Sequence, residues 1–189
     1  MKNPPFKLLI ATALLLGAGV CLPAQTATKT TSAERDFALM TGALKLREDL
    51  TAAVAGGRET PVAAIARLKA SATSSGLNLP GEANLALAAI DVGHRLIALH
   101  QPAEAEEFFK AAEGALVAAA KLADASNLEK VRYLQQLASI RAEYLGAPAQ
   151  AKADIEAAIA LRPDDEGLRT TRRLIAGGNR EIFREQSNR

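Results

Sequence analysis

The chain has 189 residues, a length that suits one domain with a modest hydrophobic core. Apolar residues make up 49% of it and aromatic residues 4%, and strong helix formers dominate after residue 30, which predicts an all-α fold. Lys2 and Lys7 lie in the N-terminal segment, and the other 21 basic residues balance 21 acidic ones. That balance provides no basic face for nucleic acid.

Residues 1–24 have the pattern of a secretory signal peptide. Lys2 and Lys7 supply the positive start, an apolar run of 13 residues follows from Leu8 to Val20, and Leu22-Pro23-Ala24 offers a cleavage region. The run is shorter than the roughly 20 apolar residues of a membrane-spanning helix. We therefore predict export, to the periplasm of a bacterium, with a flexible polar leader over residues 25–30.

Cys21 is the only cysteine of the chain. The segment Ala18-Gly19-Val20-Cys21 faintly resembles a bacterial lipobox, whose cysteine carries a lipid, although valine stands where a lipobox has a small residue. Two alternatives stay open: Cys21 belongs to a discarded signal peptide, or it anchors a lipoprotein at the cell envelope. Attachment to a membrane is expected only in the second case. In both cases no cysteine remains in the helical body to form a disulfide.

The first two predicted helices are bounded by capping and stop signals. Thr31-Ser32-Ala33-Glu34 has the pattern of a capping box, and Gly56-Gly57 stops the helix that follows it. Thr60-Pro61 then supplies an N-cap and a first helical residue. The turn-rich segment from Ser71 to Gly81 is the best candidate for a joint within the domain.

Five more helices are predicted up to Gly177. The breaks around them fall at Gln101-Pro102, at Asp124 to Asn127, at Gly146-Ala147-Pro148, at Pro163 and at Gly177-Gly178. The third helix is expected to run from about Glu82 to His100, and the fifth to include Tyr144 and Leu145. The helical domain is thus predicted over residues 31–178, followed by a polar tail over residues 179–189.

Helices three to six form two predicted hairpins in which small and apolar residues recur at the same relative positions. Positions 8, 20, 24 and 27 hold Gly93, Ala105, Phe109 and Ala112 in the first hairpin and Ser139, Ala151, Ile155 and Ala158 in the second, which has Pro163 at position 32. Over residues 86–165 this pattern resembles the tetratricopeptide repeat. The resemblance implies helix pairs that approach closely at the small residues.

The pattern also departs from that family. Ala89 and Gln135 stand where a large residue is expected, the first hairpin lacks a closing proline, and the units are offset by 46 residues rather than about 34. Because two units rarely suffice, we expect the other helices to cover them, with Gly42 as the close contact of a degenerate third unit. The expected architecture is antiparallel hairpins stacked as a short solenoid of about seven helices. A non-repeating bundle is the alternative.

Neither a catalytic set nor a cofactor or metal site is predicted. His94 and His100 are six residues apart on a predicted helix and therefore point to different faces. The Gly-Gly pairs lack the Lys-Ser/Thr of a phosphate-binding loop. The acidic clusters Glu104 to Glu107 and Asp164 to Glu166 lie at helix starts, where acids favour the helix dipole.

The resemblance to tetratricopeptide repeats also implies a binding groove, lined by the first helix of each hairpin. The groove positions of that family fall here on Leu87, Ile90, His94, Ile97 and Ala98, and on Tyr133, Gln136, Ile140, Glu143 and Tyr144. They lack the lysines, arginine and asparagines with which chaperone-binding members hold a peptide carboxylate. Such an apolar groove suits an extended or helical peptide segment. The alternative is that the first two helices cover these residues.

Two functions are compatible with these features. The first is an exported, non-catalytic scaffold that binds a protein or peptide partner. The second is a structural or assembly subunit of the cell envelope, which associates with itself or is anchored through a lipidated Cys21. An enzyme is not favoured, because the sequence shows no convergent set of His, Asp, Glu and Ser residues.

Overall fold

The computed structural model describes residues 32–74, 80–122 and 124–177. These residues form seven α-helices and no strand, which confirms the all-α prediction for this part of the chain. The helices are α1 (Ser32–Ala55), α2 (Pro61–Ser74), α3 (Gly81–Ala98), α4 (Pro102–Ala120), α5 (Asn127–Glu143), α6 (Pro148–Leu161) and α7 (Glu166–Ala176). Within these ranges, no helix is both long enough and apolar enough to cross a membrane. The predicted signal peptide, Cys21, leader, Thr31 cap and polar tail lie outside the described residues.

Several helix ends follow the local signals in the sequence. Gly57, just past the end of α1, has a φ of 65°, a left-handed conformation that glycine adopts without strain. The Thr60 hydroxyl oxygen accepts a hydrogen bond from the Ala63 N–H at 3.3 Å and so caps α2. At the start of α5, Ser126 and Glu129 form a reciprocal capping box.

The C-terminal ends of α3 and α5 differ from the prediction. His100 has a φ of 60°, so the chain leaves the helix two residues earlier than expected. The His100 N–H bonds to the Ile97 carbonyl and the Gln101 N–H to the Leu96 carbonyl, the pair of bonds that closes a helix around a left-handed residue. Gln101-Pro102 marks the break in the sequence, but the left-handed residue before it is a histidine rather than the glycine that usually takes this position. Helix α5 also ends before the predicted Leu145.

The helices pack mainly against their neighbours along the chain. The α3–α4 and α5–α6 pairs pack most closely, followed by α4 against α5 and α6 against α7. The connections within the two closest pairs are only three and four residues long, which makes each pair an antiparallel hairpin. Among the described helices, α3 and α5 do not pack closely against each other. This order matches the expected stack of hairpins.

Helix α5 lies between two hydrophobic cores. The first core is formed by α1 to α5, and its largest fully buried side chains are Phe108, Phe109, Leu50, Leu96, Leu116 and Val92. The second is formed by α5, α6 and α7 and buries Val131, Ala138, Ala151, Ile155, Ala158, Leu168 and Ile175. Apart from Ser139, which is half-buried, the residues at the predicted close contacts of both hairpins are buried.

Helices α3 and α4 approach each other closely at Gly93 and Phe109. A Cβ atom at residue 93 would lie 2.9 Å from two carbons of the Phe109 ring. The ring is almost fully buried and stacks on Tyr144, with centroids 4.0 Å apart and an angle of 12° between the planes. The ring therefore occupies its position against α3 because residue 93 has no side chain.

Arg141 joins α4, α5 and α6 through two carboxylates. Its Nε donates to Glu113 at 2.8 Å, and its Nη1 donates to the two oxygens of Asp154 at 3.0 and 2.7 Å. The Arg141 side chain is only 16% exposed. Burial raises the pKa of Asp154, and the charge of Arg141 opposes that rise. The half-buried cluster thus links both hairpins by paired charges.

Gly42 does not have the role predicted for it. It is exposed, and a Cβ atom there would have no neighbour within 4 Å. The residues from 36 to 42 are all exposed, and α1 enters the first core further along, through Leu50 and Val54. The prediction of a close contact is wrong because this half of α1 extends past the helices that it packs against.

We expect Gly93→Ala to lower the free energy of unfolding by about 1–3 kcal/mol, the usual effect of overpacking a core. The Phe109 ring is held against Tyr144 and has little room to move away from the added methyl group. This loss outweighs the better helix propensity of alanine, about 1 kcal/mol. Urea denaturation followed by circular dichroism measures the change.

Gly114→Ala is the matched control. Gly114 is exposed on α4, and a Cβ atom there would meet nothing within 4 Å. This substitution is expected to raise the free energy of unfolding by about 0.5–1 kcal/mol. If both substitutions stabilised the protein to a similar extent, the Phe109 ring would not limit the size of the side chain at residue 93.

Candidate functional site

A pocket of about 310 Å³ lies between α3 and α5. Ile90 and His94 line it from α3, and Gln135, Gln136, Ser139, Ile140, Glu143 and Tyr144 line it from α5 and its C-terminal end. The residues on the α5 side recur at spacings of four, so they belong to one face of that helix. The pocket therefore occupies the space where these two helices are not in close contact.

The structure brings together six of the ten residues that the sequence places in a groove. They are Ile90, His94, Gln136, Ile140, Glu143 and Tyr144. The other four do not line the pocket: Leu87 and Ala98 are exposed, Ile97 packs partly buried on the first core, and Tyr133 is buried. The predicted groove thus corresponds to a shorter site beside the C-terminal half of α5.

The placement of Tyr133 in a groove is a prediction that the structure corrects. Its side chain is 7% exposed and belongs to the first core, because this part of α5 packs against other helices. Burial raises the pKa of its hydroxyl. Ile140 is also buried in that core, but it lines the pocket as well and so forms part of its floor.

Sequence reasoning missed two residues of the wall, Gln135 and Ser139. The repeat pattern assigned them to contacts inside the hairpin, yet both line the pocket. The Ser139 hydroxyl donates to the Gln135 carbonyl at 3.1 Å, and the Gln135 side-chain amide donates to the Thr171 hydroxyl at 3.5 Å. Their spacing of four, continued by Glu143, was the available signal, since it places them beside Gln136 on the same face.

Three aromatic rings pack together beside the site, and two of them, those of His94 and Tyr144, line it. The His94 ring lies with its centroid 5.5 Å from that of Phe109 and 5.4 Å from that of Tyr144, tilted by 56° and 54°. The His94 Nε2 atom is buried and makes no hydrogen bond within the described part of the chain. The imidazole is therefore held by ring packing, without a polar partner at that nitrogen.

The electrostatics of the lining are neutral to negative. Burial lowers the pKa of His94, and the negative charge of Asp91 opposes this only in part, so the ring is neutral at pH 7. Of the lining residues that the structure describes, Glu143 is the one acidic residue, and none is a lysine or an arginine.

The acidic clusters noted in the sequence lie elsewhere and are engaged locally. Lys110 pairs with Glu106 at 3.0 Å and with Glu107 at 2.9 Å. The Asp165 carboxylate accepts the Gly167 N–H at 3.0 Å and caps α7. In the ranges that the structure describes, no group of three His, Cys, Asp or Glu residues is placed to hold a metal ion.

No protein-family model, curated protein or solved structure matches this chain. The resemblance to tetratricopeptide repeats consequently depends on the small-residue positions alone. A functional interpretation has to start from the pocket and the chemistry of its lining.

The pKa of His94 provides a test of its burial. Because this pKa is lower in the folded than in the unfolded chain, the unfolded chain takes up the proton first as the pH falls below about 6.5. The neutral ring therefore makes its full contribution to the free energy of unfolding above that pH, and this contribution decreases as the pH falls below it. We expect His94→Phe to lose less free energy of unfolding than the parent between about pH 7.5 and about pH 5, measured by urea denaturation.

His100→Asn is the control for the second histidine. Residue 100 is exposed and left-handed, a conformation that asparagine tolerates. This variant is expected to keep the pH dependence that His94 causes. If the free energy of unfolding depended on pH in the same way in the parent and in His94→Phe, the lowered pKa of His94 would be contradicted.

Proposed function

We propose that the protein is an exported, non-catalytic scaffold that binds a segment of a protein partner in the pocket between α3 and α5. The observation that supports this most is the composition of the wall. Apolar groups from Ile90, Ile140 and Tyr144 lie beside the side-chain amides and hydroxyl of α5. Such a surface accepts an apolar side chain and offers hydrogen bonds to a peptide backbone.

Catalysis is not favoured by the hydrogen bonds of the site. Among the lining residues that the structure describes, Ser139 carries the only aliphatic hydroxyl, and this hydroxyl donates to the backbone carbonyl of Gln135 on its own helix. An activated nucleophile would instead be hydrogen-bonded to a base such as His94. The neutral ring of His94 packs against both Phe109 and Tyr144, which suits a binding wall.

The resemblance to tetratricopeptide repeats supports the same function. Gly93, Ala105, Phe109 and Ala112 are all buried, as the small and apolar positions of a divergent repeat would be. In that family the groove beside the first helix of each hairpin binds peptides. We propose that the second hairpin retains this use.

The proposed export depends on residues 1–24, with their two lysines and the apolar run from Leu8 to Val20. Under this proposal the helical domain works in the periplasm. A lipidated Cys21 would instead hold the same domain at the envelope.

Photo-crosslinking in the protein's own cells tests the partner site. We expect p-benzoylphenylalanine in place of Gln136 to crosslink a partner protein, because residue 136 lines the pocket. Adding Ser139→Arg should reduce the crosslinked product by roughly tenfold, since the larger side chain fills the space. Mass spectrometry of the product identifies the partner.

The same crosslinker in place of Arg132 is the control, since that residue is exposed on α5 and does not line the pocket. Equal products from both positions, insensitive to Ser139→Arg, would contradict binding in the pocket. The N-terminus of the crosslinked protein decides the location: a start near Gln25 in the soluble periplasmic fraction supports export, and a lipid on Cys21 supports the anchored alternative.

A second candidate function, an assembly subunit, is favoured by α1. Phe37, Met40 and Leu44 are 66%, 53% and 44% exposed, and their spacing of three and four aligns them on one side of the helix. Apolar stripes of this kind mark protein contacts. The exposed half of α1 could serve self-association independently of the pocket.

This candidate predicts that the full chain sediments as a dimer or larger species at micromolar concentration, and that Met40→Glu converts it to a monomer by placing a charge in the stripe. Ala38→Glu, on another side of the same exposed turn, should leave the assembly unchanged. A parent chain that stays monomeric would exclude the assembly function without affecting the pocket.

A further inference from the structure

We infer that the pocket between α3 and α5 binds the side-chain carboxamide of a glutamine of its partner. The inference rests on the proposed function, because it uses the same pocket and names the group of the partner that the pocket recognises. Three features carry it: the donors and acceptors of the wall, the lack of charge on the groups that provide them, and the apolar side chains beside them.

The wall on α5 offers donors and acceptors together. Within the described residues, the side-chain amide of Gln136 makes no hydrogen bond, which leaves both of its N–H groups and its oxygen for a ligand. The Gln135 amide donates one N–H to Thr171 at 3.5 Å, and its other N–H and its oxygen remain. The Ser139 hydroxyl donates to the Gln135 carbonyl at 3.1 Å, so it presents its lone pairs.

His94 adds to both kinds of group from the α3 side. Burial lowers its pKa and keeps the imidazole neutral at pH 7, so the ring has one N–H donor and one acceptor nitrogen. One of these two atoms is Nε2, which is buried and has no hydrogen-bond partner in the described part of the chain. These four residues of the lining therefore provide donors and acceptors without a net charge of their own.

A primary carboxamide matches this set of groups. It has two N–H donors and an acceptor oxygen at one point, so it can pair in both directions with the amide of Gln136. A carboxylate only accepts and an ammonium group only donates. Either would leave groups of the wall unpaired, and a thioether or an alkyl group would leave nearly all of them unpaired, which costs binding energy.

The partner's backbone matches the wall less well than a carboxamide does. In a trans peptide group the N–H and the C=O point in opposite directions, so one such group turns only one of them to the wall. Gln136 and Ser139 are three residues apart on α5, and Gln135 and Ser139 are four apart, which places their Cβ atoms about 5–6 Å from one another. A single carboxamide between these side chains is within reach of more than one of them.

The apolar side chains suit the stem of a glutamine. Ile90 and Ile140 line the same pocket as the polar groups. The two methylene groups of glutamine can pack on this apolar surface while the carboxamide reaches the wall. Asparagine has one methylene group fewer and would bury less apolar area.

Four capped peptides of the sequence Gly-Ser-Leu-X-Leu-Ser-Gly test the inference, with glutamine, methionine, glutamate or lysine at X. Each is titrated into the full chain labelled with nitrogen-15, and binding is followed by the backbone amide shifts of residues 136 and 139. We expect the glutamine peptide to bind roughly tenfold more tightly than each of the other three. Methionine is the closest apolar match in length, and glutamate has the same shape as glutamine.

Gln136→Met removes the amide and keeps the length of the side chain. It should reduce the preference for the glutamine peptide over the methionine peptide to about twofold or less. Gln150→Met is the matched control, because it makes the same change at an exposed site on α6, and it should keep the full preference. Gln136→Glu replaces the N–H donors with acceptors and should move the preference to the lysine peptide.

Equal binding of the four peptides, or a preference of the parent for methionine, glutamate or lysine, would overturn the inference and leave the proposed function standing. A preference for glutamine that persists in folded Gln136→Met and Gln136→Glu would also overturn it, since the amide of residue 136 would then play no part. Absence of shifts at residues 136 and 139 with every peptide would reject the inference together with the pocket as a peptide site.

Discussion

The absence of a side chain at Gly93 is the constraint on which the rest of the structure depends. It lets the Phe109 ring lie against α3, at a distance that a Cβ atom would forbid. Phe109 then stacks on Tyr144, which follows the last residue of α5. This stack fixes one end of α5 beside the α3–α4 hairpin, and His94 packs against both rings. The pocket is the space that remains between α3 and α5 next to these rings.

Helix α5 makes contacts on several of its sides, so its buried residues do not form a single apolar stripe. Leu137 and Val131 enter different cores, Arg141 bonds to carboxylates on α4 and α6, and a further face forms the pocket wall. A helix with contacts on most sides does not have one apolar and one polar face. The polar residues of α5 are therefore explained by partners within the protein and by the pocket, and only in part by solvent.

Local signals were sufficient to predict the helices, because proline, glycine and capping residues act on the residues next to them. The all-α class and the order of the hairpins followed from those signals. The last residue of α3 did not, because Gln101-Pro102 predicts a break nearby but does not show that His100 takes the left-handed conformation. Exposure was the least predictable property: a repeat position says which side of a helix a residue takes, but not what covers that side. The predictions for Gly42 and Tyr133 were wrong for this reason. No other helix covers Gly42, whereas other helices cover Tyr133.

One residue that departs from the repeat pattern, Gln135, also contributes to the polar wall of the pocket. Gln135 stands where the family has a large residue, and it lines the site together with Ser139 and Glu143. Polar groups at half-buried positions cost stability unless they are paired, and each of the first two makes one hydrogen bond within the protein. An apolar residue at position 135 would fill a helical hairpin at least as well, so packing alone does not account for the amide. Sites where a sequence departs from its local rule are often functional.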